Sequence, residues 1–567
     1  MYICTMFKSI YRVIPDSFRR RALFVAVTIF VRALLNFVGI AMLVPVLMII
    51  VGGDIEANPY MSQAYEWLGV SAEGFVVVVC GVVVGVLVLK NVLNQLLYRA
   101  ERGYIFSLYE YLSRRLYISY YQRGLGFIKR NNSAHLARDV NAVSLMFATG
   151  VLKPLAQIAG EAMLLVIFVT ALVLYSPYLA LVTMAIFVPI VLLFYVAVRR
   201  RLREVGGREN EVQRAKNRIV AETYRGYVDV KIGGAMPFML RSFDKMMAEI
   251  VDLRNRHASI AILPQAFIEI GVVVGLVAMA IWGHSSNMDI QLMFGIFVVA
   301  AIRLLPVVRN IMSAWSTLRF NLYSVDTLKD IDIDDCAEEI LSTTERIDLK
   351  TSIDIDDVSF RFDDAQSDTL SHFSLKINRG ERVGIRGASG VGKTTLFNII
   401  LGLYRPTSGR ITINGVELTD KNIAMWQNSI GYVSQNVFIV DATIAENIAF
   451  GVDTKDIDYD LVNKVIELAD LKPFVESLSN GVDSRIGELG SRLSGGQRQR
   501  IGIARALYKQ CNVLLFDEAT SSLDKQTENN INSAICRLST EQKGLTIIVI
   551  AHRESSLEYC DRIITLE

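Results

Sequence analysis

The chain predicts an α-helical membrane domain of six long transmembrane helices, followed by an α/β phosphate-loop domain. Three observations point to it. Long uncharged apolar runs fill the chain as far as about Leu318 and then stop. From about Ile347 to Glu567, strand-like and helix-like patterns alternate at ordinary charge density. Within that second half, Gly387-Ala388-Ser389-Gly390-Val391-Gly392-Lys393-Thr394 stands between an apolar strand and an apolar helix. The expected division is 1–318 for the membrane domain with its long cytoplasmic helical loops, 319–346 for a connector rich in acids, and 347–567 for the second domain.

Composition narrows the class. A 567-residue chain that is 52% hydrophobic and 20% charged is not disordered, and so much apolar surface argues against a wholly soluble protein. Lys and Arg number 59 against 57 Asp and Glu, so no charge excess invites nucleic acid, and no nucleic-acid partner is expected. The six cysteines form neither a metal knuckle nor a CxxC pair, which leaves reduced thiols. Lys8, Arg12 and Arg19-Arg20-Arg21 precede an apolar stretch that passes Arg32 and reaches about Gly53. That is too long for the core of a signal peptide and reads as an uncleaved membrane helix.

Six spans follow. The stretch 33–53 is uncharged, and its helix is expected to begin earlier, near Ala22. The stretch 74–89 runs through Lys90 into a polar helix. The stretch 162–198 is uncharged, but Ser176-Pro177 splits it, ending one helix near Tyr175 and starting another near Tyr178. The stretches 257–282 and 290–312 complete the set. About 20 apolar residues cross a bilayer, so each is adequate. Segments 99–140 and 199–256 carry eight and fourteen Lys/Arg, whereas 54–73, 176–177 and 283–289 carry none. Positive charge stays cytoplasmic, so both termini are expected inside. Between the first two spans, Asn58 is a plausible N-cap and Pro59 suits the first helical position. Met61, Ala64, Tyr65 and Leu68 then share a face, which reads either as an interfacial helix or as a loop helix packed on the protein.

The second half carries chemistry. In GxxxxGK[ST] the glycines let backbone N–H groups close around phosphate oxygens, Lys393 reaches the β and γ phosphates, and Thr394 can ligate Mg²⁺. The expected ligands are ATP and Mg²⁺. Downstream, Val513-Leu514-Leu515-Phe516 is a buried-strand run ending in Asp517-Glu518. A carboxylate there can supply a second Mg²⁺ contact, and Glu518 beside it is placed to polarise a water.

Between these motifs stands Leu493-Ser494-Gly495-Gly496-Gln497, and here the whole chain resembles the ATP-binding cassette (ABC) transporter family, as an exporter-type half-transporter. The resemblance implies further roles. Gln435 matches the Q-loop, Ser522-Leu523-Asp524 the D-loop and His552 the switch histidine, making Glu518, His552 and Gln435 the catalytic set. Residues Gly387 to Thr394 with Thr395, Asp524 and the Ser494-Gly495-Gly496-Gln497 turn of an opposing subunit would hold the nucleotide. Thr394, Gln435 and Asp517 would hold Mg²⁺. Phe362 stands where the family usually has a tyrosine against adenine; stacking needs only the ring. Gly487-Glu488-Leu489-Gly490 resembles a short exporter motif. Such a site needs two cassettes, so a homodimer is expected, with a heterodimer as the alternative. Coupling helices are expected near 124–133 and 221–233.

The spans also contain charges. Lys90, Glu161, Glu269 and Arg303 all fall roughly 20–24 Å below the outer edge, and Arg309 lies deeper, past Pro306. Two readings stand open: ion pairs joining Glu161 and Glu269 to Lys90 and Arg303, or a cavity presenting Lys90, Arg303 and Arg309 to an anionic head group. Val88-Leu89-Lys90-Asn91 and Arg303-Leu304-Leu305-Pro306 with Arg309 resemble flippases for lipid-linked oligosaccharides, although Gln265 stands where a further basic residue is expected. That resemblance implies ATP-driven flipping of a polyprenyl-pyrophosphate-linked oligosaccharide across a bacterial inner membrane, with membrane lipid around the protein. The alternatives are export of a lipid A-type glycolipid, drug or peptide, or an ATP-gated channel.

Overall fold

The computed structural model describes residues 2–42, 63, 65–67, 69, 71–175, 177–285, 290–329, 345–363, 365–487, 490–519, 524–541, 544–551, 553 and 556–566. They form two compact units: Met1–Arg123 with Phe127–Cys336, and Gly124–Gly126 with Ala337–Glu567.

The first unit is helical. Its principal helices are α1 (Tyr2–Val13), α2 (Asp16–Ala41), α3 (Ala72–Gln122), α4 (Gly124–Arg130, whose first three residues belong to the second unit), α5 (Lys153–Tyr175), α6 (Pro177–Arg225), α7 (Tyr227–Ile232), α8 (Met236–Ser285), α9 (Ile290–Phe320) and α10 (Tyr323–Lys329). Ser71 caps α3 by accepting from the Gly74 N–H. The 51 residues of α3 rise about 1.5 Å each, so the helix far outruns a bilayer. Among the described residues, Asp16–Gly39, Glu73–Gln122 and His135–Leu174 are long and apolar enough to cross a membrane. Along α3, Val77, Val82, Val84, Val88 and Leu89 are exposed, as befits side chains whose solvent is lipid. Farther along, Leu108, Leu112 and Leu116 are fully buried at four-residue spacing. They share a core with Phe147, Leu318 and Leu328, and with Met6, Ile10 and Val13 of α1. The split at Ser176-Pro177 is as the residues dictate, with proline opening α6. Both α6 and α9 continue through an internal proline, Pro189 and Pro306. A Cβ on Gly206 of α6 would collide with the Phe320 carbonyl, so only glycine permits that approach to α9. Two wide π turns, Asp139–Val143 and Ala148–Leu152, precede α5; no sequence pattern announced them.

The expected outer helix near Asn58 lies largely outside the described residues, although Gln63 and Tyr65–Trp67 are helical. Residues 330–344, most of the acidic connector, also lie outside them; 323–329 form α10. The two segments expected to be coupling helices contain α4 and α7.

The second unit holds two sheets. An antiparallel sheet has the order β2-β1-β4-β5, from β1 (Ser352–Phe360), β2 (Leu370–Asn378), β4 (Ser408–Ile413) and β5 (Val416–Glu417). A parallel sheet has the order β6-β7-β8-β3-β9, from β3 (Arg382–Gly387), β6 (Ile430–Val433), β7 (Val513–Asp517), β8 (Thr546–Ile550) and β9 (Arg562–Leu566). Strands β7 and β8 are buried throughout, which is why they read as unbroken apolar runs. Helix α11 (Lys393–Ile400) follows β3, and α12 (Gly495–Tyr508) lies against β6. Leu125 of α4 packs on the cluster formed by Ile353, Phe397, Trp426 and their neighbours.

Trp426 is fully buried, and its indole N–H donates to the Ile400 carbonyl at 2.8 Å. Replacing it with alanine leaves a cavity and an unmet acceptor. The substitution is expected to cost about 3–5 kcal/mol, seen by circular dichroism as earlier urea unfolding of the α/β unit. An unchanged midpoint would contradict this packing.

Candidate active site

Parallel pairing puts several strand ends on one edge. Ile385 of β3 is level with Ile550 of β8, and Ile550 is level with Asp517 of β7. The loop after β3 and the acids after β7 therefore emerge side by side. In that loop, Gly390 and Gly392 have φ of 86° and 103°, the left-handed region open to glycine. Gly392 is also hemmed in, since a Cβ there would meet the Thr369 carbonyl at 2.8 Å. Lys393 is buried, and its ammonium donates to the Gly387 and Ala388 carbonyls, each at 2.8 Å. Ala388, Ser389 and Gly390 form the exposed rim of the loop, Val391 is half-buried, and Thr395 turns into the core.

Asp517 is buried, and burial pushes its carboxyl up to about 6. That value already includes a rise from the neighbouring Glu518 charge and the opposing pull of hydrogen bonds from Tyr432 and Thr394 and of the Lys393 charge. The Tyr432 hydroxyl lies 3.4 Å from Asp517 Oδ2. Glu518 has φ of 50°, and its N–H donates to the Ile550 carbonyl. Gln435, exposed beyond β6, donates through Nε2 to Glu518 Oε2 at 2.7 Å. The structure thus brings Lys393, Thr394, Asp517, Glu518 and Gln435 together. Tyr432 is an addition that sequence reading missed; its only signal was its place in the strand that leads to Gln435.

The remaining candidates lie around this edge or elsewhere in the unit. Phe362 packs edge-on against Phe360 and Tyr404, with centroids 4.9 and 5.6 Å away, and keeps 37% of its surface exposed. Ser494 is the N-cap of α12. Its hydroxyl accepts from the Gln497 N–H at 3.2 Å, and Gln497 Oε1 accepts from the Ser494 N–H at 2.8 Å. This reciprocal box fixes Gly495 and Gly496 in the first turn, where N–H groups point outward unpaired. The S-x-x-Q spacing was its available signal. Asp524 is exposed and accepts from the Thr527 N–H at 3.0 Å, which holds its carboxyl below the usual range. His552, Ser522, Leu523, Glu488 and Leu489 lie outside the described residues.

In the helical unit, the described partners of the two acids in the spans are amides. Glu161 accepts from Asn310 Nδ2 at 2.8 Å, and Glu269 from Gln265 Nε2 at 3.1 Å, one turn away on α8. Lys90 is half-buried with its stem against Gly39, where an added Cβ would meet Lys90 Cδ at 2.8 Å. Arg309 is exposed, and the Arg303 side chain lies outside the described residues. An ion pair of Arg32 with Glu101 joins α2 to α3. The sequence showed Arg32 only as a charge ahead of the uncharged run, with no partner assigned.

Residues 60–307 match the ABC transporter transmembrane region, and residues 370–521 match the ABC transporter family. The chain is 32% identical over 455 residues to an ATP-dependent lipid A-core flippase of Ralstonia nicotianae, covering 79% of this chain and 75% of that one. It is 30% identical over 452 residues to the flippase of the same name in Cupriavidus metallidurans, covering 78% and 74%. A bacterial Atm1-family ABC exporter with ATP bound superposes with a TM-score of 0.77 at 21% identity, over 98% of this chain and 94% of that one. With an exporter-type helical region joined to an ATP-binding and ATP-hydrolysing cassette, the chain belongs to the ABC transporter family.

Proposed function

We propose that two copies of this chain use ATP to flip a polyprenyl-pyrophosphate-linked oligosaccharide across the bacterial inner membrane, with termini and cassettes cytoplasmic. One observation carries the reading. Lys90 and Arg309 are set in α3 and α9 with no ion pair among the described residues. A charge near the bilayer centre costs about 2.5–3.5 kcal/mol on insertion scales, and an anionic head group would offset it. Arg303, two turns before Arg309, would join them. The names of the relatives favour a second reading, a lipid A-type glycolipid, which shares the phosphate and sugar chemistry.

The cassette residues divide the work. Lys393 would leave the Gly387 and Ala388 carbonyls for the β and γ phosphates, which the loop N–H groups surround. The Thr394 hydroxyl already bonds Asp517, so hard oxygen ligands for Mg²⁺ stand together, with Gln435 completing the set. When bound, Mg²⁺ would neutralise charge between the β and γ phosphates. Glu518, oriented by Gln435, would take the proton of the attacking water. Phe362 would stack on adenine, and Asp524 would lie at the boundary with the second copy. That copy's Ser494 and Gly496, with the positive end of its α12, would face the γ-phosphate beside His552.

Glu518→Gln is expected to slow phosphate release at least about 100-fold while ATP still binds; wild-type turnover in this variant would remove the catalytic assignment. Burial lifts the Asp517 carboxyl to about 6 in the metal-free cassette, so below that pH Mg²⁺ must displace a proton to bind there. The Mg²⁺ concentration needed for half-maximal ATP turnover should therefore rise as pH drops through about 6, and an unchanged Mg²⁺ requirement between pH 5 and 7 would contradict this. In proteoliposomes, Arg303→Ala with Arg309→Ala should abolish flipping of the pyrophosphate-linked glycan. Flipping at the wild-type rate would defeat the cationic cavity, and transport of lipid A alone would select the second reading.

A further inference from the structure

A groove of about 730 Å³ opens between α2 and α3, lined by Arg32, Asn36, Asn91, Asn94, Gln95 and Tyr98, with Val88 and Val92 beside them. On α3 its polar residues recur at i, i+3, i+4 and i+7, and on α2 at i and i+4, so two polar stripes face each other. Four of the eight lining residues are carboxamides. Asn94 Nδ2 donates to Asn36 Oδ1 at 2.8 Å. The Asn94 Oδ1 acceptor and the Arg32 Nε donor are buried without a hydrogen-bond partner among the described residues. Asn91 and Gln95 are exposed and make no hydrogen bond to another described residue. Helix–helix packing does not need this many polar groups, and each one left unmet in an apolar setting costs free energy.

The charge balance tells what would satisfy them. The Arg32 guanidinium is met by Glu101, and both Arg32 and Arg102 lie over the Tyr98 ring, 4.9 and 4.5 Å from its centroid. Within the groove the Arg32 charge is thus balanced by Glu101, while Arg102 is drawn to the Tyr98 ring at its rim. A carboxamide both donates and accepts, as a hydroxyl does, so a row of them matches a neutral polyhydroxylated group.

Position along α3 adds a direction. From Gly74 the helix is apolar up to Leu89, and Lys90 follows at about 24 Å. Asn91 to Tyr98 then occupy roughly 26–36 Å, at the edge of a hydrocarbon layer about 30 Å thick. Apolar wall, single cation and carboxamide row thus follow one another in the order tail, phosphate, sugar.

We propose that the α2–α3 groove binds the sugar portion of the transported lipid's head group, while Lys90 meets its phosphate. This assignment rests on the lipid-flipping reading above and narrows it to a head group whose first sugar lies against Asn91 and Gln95. The two carboxamides recognise hydroxyls, not charge.

The test uses the full-length transporter in proteoliposomes, with ATPase stimulation by two lipids: polyprenyl pyrophosphate bearing one N-acetylhexosamine, and bare polyprenyl pyrophosphate. In Asn91→Leu with Gln95→Leu, the half-stimulating concentration of the glycosylated lipid should rise about tenfold, with that of the bare lipid unchanged. An equal rise for both lipids, or no rise for either, would overturn the proposal. Monodispersity on gel filtration checks that the variant is folded. Native mass spectrometry with glucosyl-diacylglycerol, a sugar lipid without phosphate, separates the two layers of inference. If neither polyprenyl lipid stimulates the wild type, loss of glucosyl-diacylglycerol binding in the variant alone would uphold the groove and reject only the polyprenyl reading. Equal binding by both proteins would reject the groove. Free N-acetylhexosamine should not compete at the same concentration; competition would make this a site for soluble sugar and overturn the head-group assignment.

Discussion

Parallel hydrogen bonding between β3, β8 and β7 is the constraint on which the rest of the cassette depends. It sets Ile385, Ile550 and Asp517 at one level, so the phosphate-type loop and the acid pair leave the sheet on the same edge. A slip of one residue would turn every side chain of β7 to the opposite face and withdraw Asp517 from Thr394. The register is held by burial on both faces, since all five residues of β7 and all five of β8 are enclosed. The site's polar groups are thereby placed against low-dielectric walls, which is why the Asp517 carboxyl is displaced upward and the Lys393 ammonium sits on backbone carbonyls.

The helical unit obeys a different solvent. On α3, valines that would be a liability in water lie exposed, and the same helix later buries Leu108, Leu112 and Leu116 in a protein core. One continuous helix thus passes from a lipid-matched section to a section packed against α1, α9 and α10. Between these sections lie Lys90, the carboxamide stripe and the Arg32–Glu101 pair. Polar groups at that level are costly unless they are paired, and the arrangement spends neutral amides on Glu161 and Glu269 while leaving Lys90 against Gly39. The α2–α3 pair therefore holds part of the unit's unsatisfied polarity, at Arg32 and Asn94.

Much of this was legible in the residues. Length and hydropathy announced the long helices, and Ser176-Pro177 announced the break between α5 and α6 because proline cannot continue a helix's hydrogen-bond ladder. Gly390 and Gly392 stand where the loop needs left-handed backbone, so the motif and its geometry coincide. The amide partners of Glu161 and Glu269 were not foreseen, because depth along a span says nothing of which face a residue occupies. Tyr432's approach to Asp517 was also unreadable, since it depends on a neighbour 85 positions away.

Local chemistry, then, was written in the chain: a glycine-rich turn must curl, an apolar run of sufficient length must seek lipid, and a serine three residues before a glutamine can cap a helix. Which groups meet was decided by packing alone. Gln435 reaches Glu518 across 83 positions, Arg32 reaches Glu101 across 69, and Asn310 reaches Glu161 across 149. Those partners are chosen by strand register and helix rotation, which arise from burying many side chains at once and belong to no single segment.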